Sequence, residues 1–356
     1  TTMPAGNISG TRAIVVDTTL PTVTSFSSTT SDGSYKAGAA INITATLSEA
    51  VTTAASITVT LDNGQTVVLT HSAETDTLTG SYTIGAGQSS SDLGVSSYAL
   101  TSAPADAAGN IMTSTTLPAG NISGTRAIVV DTTLPTVTSF SSTTTDGAYK
   151  VGSTINITAT LSEAVSAAAS ITVTLDSGKT VVLTHSAVNN TLIGTYTVAA
   201  GDTSADLTVS SYALTSAPAD AAGNIMSDLT VPSGSNNIAG SKAIAVDTTA
   251  PNTPSTPDLD ATSDTGGSAT DNTTSDNTPK INVSGSFSGT AVVTATKQGS
   301  TSVLCTIATN TCDLATLSDG TWSISVTDTD SAGNSTTSAA VSITVDTTAP
   351  SPTVAA

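Results

Sequence analysis

Residues 127–135 read Ala-Ile-Val-Val-Asp-Thr-Thr-Leu-Pro, and the rest of the chain is divided by this pattern. Four residues of strand-forming type run into Asp131, and Pro135, four positions later, has no amide hydrogen with which to continue a ladder. Val-Asp-Thr-Thr-x-Pro recurs with its aspartate at Asp17, Asp247 and Asp346. Successive aspartates lie 114, 116 and 99 residues apart, which is too long a period for a solenoid and suits independent domains. The expected units are repeat 1 at 17–130, repeat 2 at 131–246 and a divergent repeat 3 at 247–345. Residues 1–16 match 115–130 in all but Met3, which is Leu117 there. They are therefore expected to be the last strand of a preceding repeat, and 346–356 the start of the next linker.

Composition narrows the class. The 356 residues include 8 basic and 27 acidic side chains, a formal charge of −19 that argues against nucleic acid and anionic membrane surfaces as partners. Charged residues are only 10% of the chain, so this is not a disordered acidic tail. Abundant Thr, Ser and Val favour strands over helices, and no segment has the length and apolarity of a membrane-spanning helix. The lack of an initiator Met or signal peptide is read as a mature piece or an excerpt.

Repeat 1 offers seven strand candidates, near 22–28, 40–48, 56–61, 66–71, 78–84, 93–100 and 125–130. Ile41-Asn42-Ile43-Thr44 and Ile57-Thr58-Val59-Thr60-Leu61 alternate apolar with polar, the period of a strand with one buried face. Asp62-Asn63-Gly64-Gln65 reads as a hairpin turn, and Asp32-Gly33 and Asp146-Gly147 as turns after the first strand. The expected fold is all-β: tandem immunoglobulin-like β-sandwiches in an extended rod.

If each strand runs the length of its sandwich, the connections that carry Glu49, Glu74 with Asp76, and Asp106 meet at the pole where Asp17 enters. Repeat 2 repeats this with Glu163, Asp220 and Asp131, with Asn189 and Asn190 in place of the fourth–fifth acids. Carboxylates gathered at one place repel unless a cation lies among them, and an all-oxygen donor set selects Ca²⁺ over zinc. The plainer account of each acid alone is a solvated turn cap; the recurrence of the set favours calcium. Repeat 3 keeps Asp247 and Asp330 but has Ser286-Phe287-Ser288-Gly289 in place of the Glu-bearing stretch. It adds an acid-rich loop at 258–277 with Asp258, Asp260, Asp264, Asp271 and Asp276, beside Asp346 at the far pole. That loop is either a second calcium clip or a solvated connection.

Cys305 and Cys312 flank a short turn, a spacing that suits a disulfide across a hairpin. His71 and His185 are one position in two repeats, with no Cys, second His or motif-borne Ser beside them, so no enzyme is expected. Trp322 has the alternating context of a core residue; a sugar-stacking role needs exposure. Alternating Thr serves solubility and strand propensity rather than an ice-binding surface, and Asn-x-Thr triplets inside strands carry no weight.

Val-Asp-Thr-Thr-x-Pro, Asp-Gly-Ser-Tyr-Lys-Ala-Gly, Leu-Ser-Glu-Ala-Val, Asp-Ala-Ala-Gly-Asn and the Asp-Gly-Thr-Trp…Asp-Ser-Ala-Gly-Asn of repeat 3 resemble the bacterial immunoglobulin-like tandem repeats of giant surface adhesins exported by type I secretion. The resemblance covers essentially the whole chain and includes two repeat subtypes. It implies calcium near domain junctions and a secreted, extracellular stalk that projects an adhesive tip from the bacterial surface, as in biofilm adhesion. The partners are then neighbouring repeats of the same chain; the tip ligand is not specified. Two alternatives stay open: repeat 3 as a glycan- or protein-binding module, or a filament subunit in which residues 1–16 add to another copy by strand exchange.

Overall fold

A computed structural model describes residues 14–350 except 53, 167, 186, 299, 308 and 309. The sequence-predicted strand at 11–16 lies largely outside the described residues, as does 351–356.

Repeat 1 contains β1 (Val23–Ser27), β2 (Gly33–Tyr35), β3 (Ala40–Val51), β4 (Ser56–Leu61), β5 (Thr66–Thr70), β6 (Thr75–Thr83), β7 (Val95–Ser102) and β8 (Ile128–Val130). Ile41, Ile43, Ala45 and Leu47 of β3 are buried and their neighbours are not, as the alternation requires. Six strands hydrogen-bond in the order β1-β3-β6-β5-β4-β7. The β5–β6 ladder is one pair long, Thr70 with Thr79, so the sheet folds there into two facing halves. Gly80 sits at that seam, where a Cβ would come 2.6 Å from the Val68 carbonyl oxygen; only a glycine admits this approach. Between the halves, Phe26 meets Tyr98 edge to face at 5.5 Å, within one buried cluster running from Val23 to Val130.

Repeat 2 has the same plan: β9 (Val137–Ser141), β10 (Gly147–Tyr149), β11 (Thr154–Val165), β12 (Ser170–Leu175), β13 (Thr180–Thr184), β14 (Asn189–Thr197), β15 (Thr203–Ser204), β16 (Val209–Ser216) and β17 (Ile244–Asp247). Its core runs from Val137 to Val246, with Phe140 on Tyr212.

The structure supplies two pairings that the sequence reading leaves unassigned. The Asp32-Gly33 and Asp146-Gly147 turns lead directly into short strands, and these pair in parallel with the last strand of each repeat, β2 with β8 and β10 with β17. The pairing partner lies some ninety residues away, so no local pattern announces it. The strand predicted near 125–130 is likewise joined to β2 and not to the six-stranded sheet.

Repeat 3 consists of β18 (Asp258–Leu259), β19 (Thr273–Thr274), β20 (Lys280–Asn282), β21 (Thr290–Lys297), β22 (Ser300–Ile307), β23 (Thr311–Asp313), β24 (Gly320–Thr329), β25 (Ser335–Thr337) and β26 (Val341–Val345). One sheet has the order β18-β20-β23, the other β19-β26-β24-β21-β22 with β25 beside β24. Cys305 and Cys312 are disulfide-bonded, Cα atoms 6.3 Å apart. The bond joins β22 to β23, which belong to different sheets, so it staples the two layers rather than one hairpin. Trp322 is half-buried at the edge of this core.

The three buried clusters draw on separate stretches of chain, and among the described residues no sheet crosses from one repeat to another. The chain is all-β apart from short turns such as Ile122–Gly124 and α1 (Ile238–Ser241). Among the described residues no helix is long and apolar enough to cross a membrane.

Candidate metal centre

Each junction aspartate is fixed by its own sequence. The Thr two residues on donates its amide to the carboxylate: Thr19 to Asp17 (2.9 Å), Thr133 to Asp131 (3.0 Å), Thr249 to Asp247 (2.9 Å) and Thr348 to Asp346 (3.0 Å). This Asx turn accounts for the recurring Asp-Thr-Thr and leaves the second carboxylate oxygen without a partner in the turn.

The second acid comes from the end of a long strand. In β3 the register with β6 jumps between Thr46 and Val51, and in β11 the register with β14 jumps between Thr160 and Val165. Glu49 and Glu163 fall in those bulged stretches, so they lie at the irregular end of a strand rather than in a loop; such bulges re-aim side chains at a sheet's rim.

The third acid opens the Asp-x-Ala-Gly-Asn loop, in which the asparagine acts as a clamp. Asn110 donates its amide to Asp106 Oδ1 (2.8 Å), and its side-chain nitrogen donates to Asp106 Oδ2 (2.7 Å) and to the Asp17 carbonyl (3.1 Å). Asn224 does the same with Asp220 (2.8 and 2.7 Å) and the Asp131 carbonyl (2.9 Å). Asn334 repeats it with Asp330 (2.8 and 3.0 Å) and the Asp247 carbonyl (2.9 Å). Sequence reasoning quoted this motif without assigning its asparagine a role; the signal was its presence at the same offset in all three repeats.

Asp17, Glu49 and Asp106 each bring a carboxylate oxygen within 4.8 Å of the others, and so do Asp131, Glu163 and Asp220. Oε1 of Glu49 and Oε1 of Glu163 are buried and have no hydrogen-bond partner. Burial pushes the Glu49 carboxyl above its ordinary range, with added repulsion from Asp17 and Asp106. Glu163 is raised likewise, by burial and then by Asp131 and Asp220. The bonds from Asn110 hold Asp106 lower than usual. Three hard oxygen donors, one an orphaned carboxylate oxygen, fit a Ca²⁺ ion, which takes carboxylate and carbonyl oxygens in flexible geometry. Glu74 lines the same cleft in repeat 1, outside the close trio.

Repeat 3 is different. Asp247, Asp330 and Ser288 line one cleft, but no acid stands where Glu49 and Glu163 do, and among the described residues these acids form no trio within 4.8 Å. The loop acids are also dispersed. Asp260 accepts from Thr262 and from the Asn282 side chain (2.9 Å), bonds that lower its pKa to about 2. Asp258 lies exposed on β18. Asp264 is buried, accepts the Asn272 amide at 3.2 Å through Oδ2 and leaves Oδ1 unpartnered. Asp346 is tied to the same loop only through its amide, donated to the Thr274 carbonyl at 2.9 Å. The structure thus assembles six of the twelve sequence-predicted metal residues into two trios and leaves Asp247, Asp258, Asp260, Asp264, Asp330 and Asp346 outside them.

The histidines and the tryptophan each have a backbone or side-chain partner, although the buried Nε2 of His71 has none. His185 bonds to Asn189 and to the Ser166 carbonyl, and His71 to the Ala73 carbonyl. Trp322 donates its indole N–H to the Ser318 carbonyl (2.9 Å) and lies under the Lys297 ammonium, 5.3 Å from the ring centroid.

Tandem β-sandwiches with a carboxylate-lined pole place the chain among the immunoglobulin-like all-β modules by their architecture. Residues 249–347 match the family model for a bacterial Ig-like domain, which covers repeat 3. No curated protein matches the chain. Among solved structures, the fibronectin(III)-like modules of Clostridium thermocellum CbhA align with 64% of this chain and 94% of theirs at 15% identity; the TM-score of 0.19 carries no argument about arrangement.

Proposed function

We propose that this chain is a calcium-stiffened spacer, a stalk segment of a large bacterial surface adhesin that works outside the cell and holds an adhesive tip away from it. The observation that carries the reading is the recurrence of one trio, Asp17/Glu49/Asp106 and Asp131/Glu163/Asp220, at the entry of the first and of the second repeat, each with a buried unpartnered glutamate oxygen. Asp131 belongs to both sides of its junction: its amide donates to the Tyr35 carbonyl of repeat 1 (3.0 Å) while its carboxylate joins the trio of repeat 2. A divalent cation there would cancel the repulsion among three carboxylates and cross-link the junction strand, the bulged strand end and the Asp-x-Ala-Gly-Asn loop. The role is mechanical: reach and rigidity, with the neighbouring repeats as partners.

The test is thermal unfolding with and without Ca²⁺, read repeat by repeat through hydrogen exchange. At a free concentration one hundredfold above Kd the ion should add about 2.7 kcal/mol to a repeat that binds it. Repeats 1 and 2 should gain and Glu163→Gln should abolish the gain in repeat 2 alone. Equal midpoints with Ca²⁺ and with chelator overturn the reading.

A further inference from the structure

Only 8 of 356 residues are basic, and two of them occupy one position in successive repeats: Lys36 in Asp-Gly-Ser-Tyr-Lys-Ala-Gly and Lys150 in Asp-Gly-Ala-Tyr-Lys-Val-Gly. Among the described residues neither forms an ion pair with an acid of its own repeat. Lys36 reaches out of repeat 1 and donates its ammonium to the Gly223 carbonyl of repeat 2 at 2.9 Å. Lys150 reaches out of repeat 2 and donates to the Gly333 carbonyl of repeat 3 at 2.7 Å. The same contact is thus built twice, although repeats 2 and 3 share little sequence.

The acceptor is prepared by backbone conformation. Gly223 and Gly333 have φ of +85° and +87°, a left-handed geometry that glycine adopts without a steric penalty and that orients the Asp-x-Ala-Gly-Asn loop toward the incoming lysine. The residue after each glycine is the clamp asparagine, Asn224 or Asn334, which holds the carbonyl of the junction aspartate. On the donor side, the residue before Lys36 is Tyr35, whose carbonyl accepts the Asp131 amide. A ring of contacts therefore closes across the first junction: Asp131 to Tyr35, Tyr35 to Lys36 along the chain, Lys36 to Gly223, Gly223 to Asn224 along the chain, and Asn224 back to Asp131. The linker is pinned to the preceding repeat as well, by Thr132 on the Gln88 carbonyl (3.0 Å) and, at the second junction, Thr248 on the Asp202 carbonyl (3.0 Å). The linker is thus fastened to both repeats, but every one of these contacts runs through the linker itself and leaves the two sandwich bodies joined along one line. The lysine restrains rotation about that line, because it alone among these side chains joins the body of one repeat directly to the loop of the next.

We propose that Lys36 and Lys150 are positioning residues that fix the angle between successive sandwiches, and that the surface they recognise is the outward-turned glycine carbonyl of any repeat carrying the Asp-x-Ala-Gly-Asn loop. This inference rests on hydrogen bonds independent of any cation, so it stands or falls apart from the calcium reading. Repeat 3 has no lysine at the matching place: β19, which pairs with β26 as β2 pairs with β8, is followed by Ser275 and Asp276.

The test uses the full chain with spin labels attached at Ser97→Cys and Ser211→Cys across the first junction, or Ser211→Cys and Ser323→Cys across the second, and pulsed dipolar spectroscopy to read the distances. The native protein should give one narrow distance peak for each pair. Lys36→Met should lose the narrow peak across the first junction and keep it across the second; Lys150→Met should do the reverse. Lys36→Arg, which retains a charged donor, should keep the peak. Unfolding midpoints of the individual repeats should not move. Unchanged distributions in the Lys36→Met/Lys150→Met double variant, or broad distributions already in the native protein, overturn the proposal. Each sample is measured with Ca²⁺ and with chelator. Widths that follow Ca²⁺ but ignore the lysines refute this inference and leave the cation reading intact, and the opposite result does the converse.

Discussion

Repeats 1 and 2 differ from repeat 3 in one functional part and agree in another. All three hold an aspartate with an asparagine four residues later that reaches back to the junction carbonyl. Only the first two bring a glutamate to that aspartate; in repeat 3 Ser288 occupies the neighbourhood, donating its amide to the buried Asp328 at 2.8 Å. The comparison separates two jobs that sequence motifs run together. The clamp fastens the junction strand to its own sandwich in every repeat, whereas the third carboxylate, which completes the proposed cation site, is optional.

The clamp should show the largest effect. Asn110→Ala, Asn224→Ala and Asn334→Ala each remove the donor that satisfies an aspartate oxygen and a junction carbonyl. An unsatisfied buried acceptor costs about 1–3 kcal/mol, so Asn110→Ala and Asn224→Ala, whose Asp106 and Asp220 are buried, should each lose roughly 3 kcal/mol in their own repeat, and Asn334→Ala, whose Asp330 is half-buried, somewhat less. Denaturant-dependent hydrogen exchange resolves the three. A loss confined to repeats 1 and 2, or present only with Ca²⁺, would collapse the distinction between clamp and cation site.

The second difference is the staple. Repeats 1 and 2 centre their cores on an aromatic pair, Phe26 with Tyr98 and Phe140 with Tyr212. Repeat 3 has Trp322 at the edge and a smaller cluster, from Leu259 to Val345, closed by Cys305–Cys312 between the sheets. The bonded residues are seven apart, so the loop removed from the unfolded ensemble is short and reduction should cost about 2 kcal/mol or less. The chain's single tryptophan lies in this repeat, so its fluorescence follows repeat 3 alone. Reduction should lower that transition and leave the others where they were; equal shifts in all three would contradict it.

The fold was legible because its strands are half-buried: Ile41, Ile43 and Ala45 alternate with Asn42 and Thr44 along β3, and two-residue alternation needs no long-range information. The trios were legible for a related reason, since antiparallel strands of similar length return their ends to the same pole. What stayed hidden was set by partners distant in sequence. Gly33–Tyr35 becomes a strand because Ile128–Val130 lies beside it. The disulfide became an inter-sheet bond because Thr311–Asp313 pairs with Lys280–Asn282 instead of with Ser300–Ile307. Lys36 looks like a solvated surface residue until repeat 2 is placed against it. At Asp258, Asp260 and Asp264 the sequence leaves a calcium clip and a solvated connection both open, because a run of acids does not show which of them local hydrogen bonds, such as those on Asp260, will engage.

The smallest expected effect concerns protons and separates the repeats again. In cation-free protein, burial and then the neighbouring aspartates raise the pKa of Glu49 and Glu163 above the unfolded value near 4.3. A folded state that binds a proton more tightly than the unfolded one is stabilised at low pH, and that contribution is lost as pH rises through the raised folded pKa. Asp106 has the opposite sign: the Asn110 bonds lower its pKa, so its contribution is present above the unfolded aspartate pKa and is lost as pH falls through the folded one. Repeat 3 retains only this second behaviour. At Asp330 burial pushes upward, but the bonds from Asn334, Ala332 and Gly333 outweigh it and leave the pKa lowered. Raising the pH in chelator from about 4.3 through the raised glutamate pKa should therefore remove a glutamate-dependent stabilisation from repeats 1 and 2 and none from repeat 3. Glu49→Gln and Glu163→Gln should each abolish it in their own repeat. Saturating Ca²⁺ should suppress it too, because the ion takes over from the proton the neutralisation of the trio. Both glutamates are partly solvent-exposed, so screening keeps the effect below that of the clamp or the disulfide. The measurement is the difference in unfolding midpoint between native and Glu→Gln protein across the pH series. A difference that stays flat through the raised glutamate range would mean that the three carboxylates do not sense one another, and the cation site would lose its electrostatic basis.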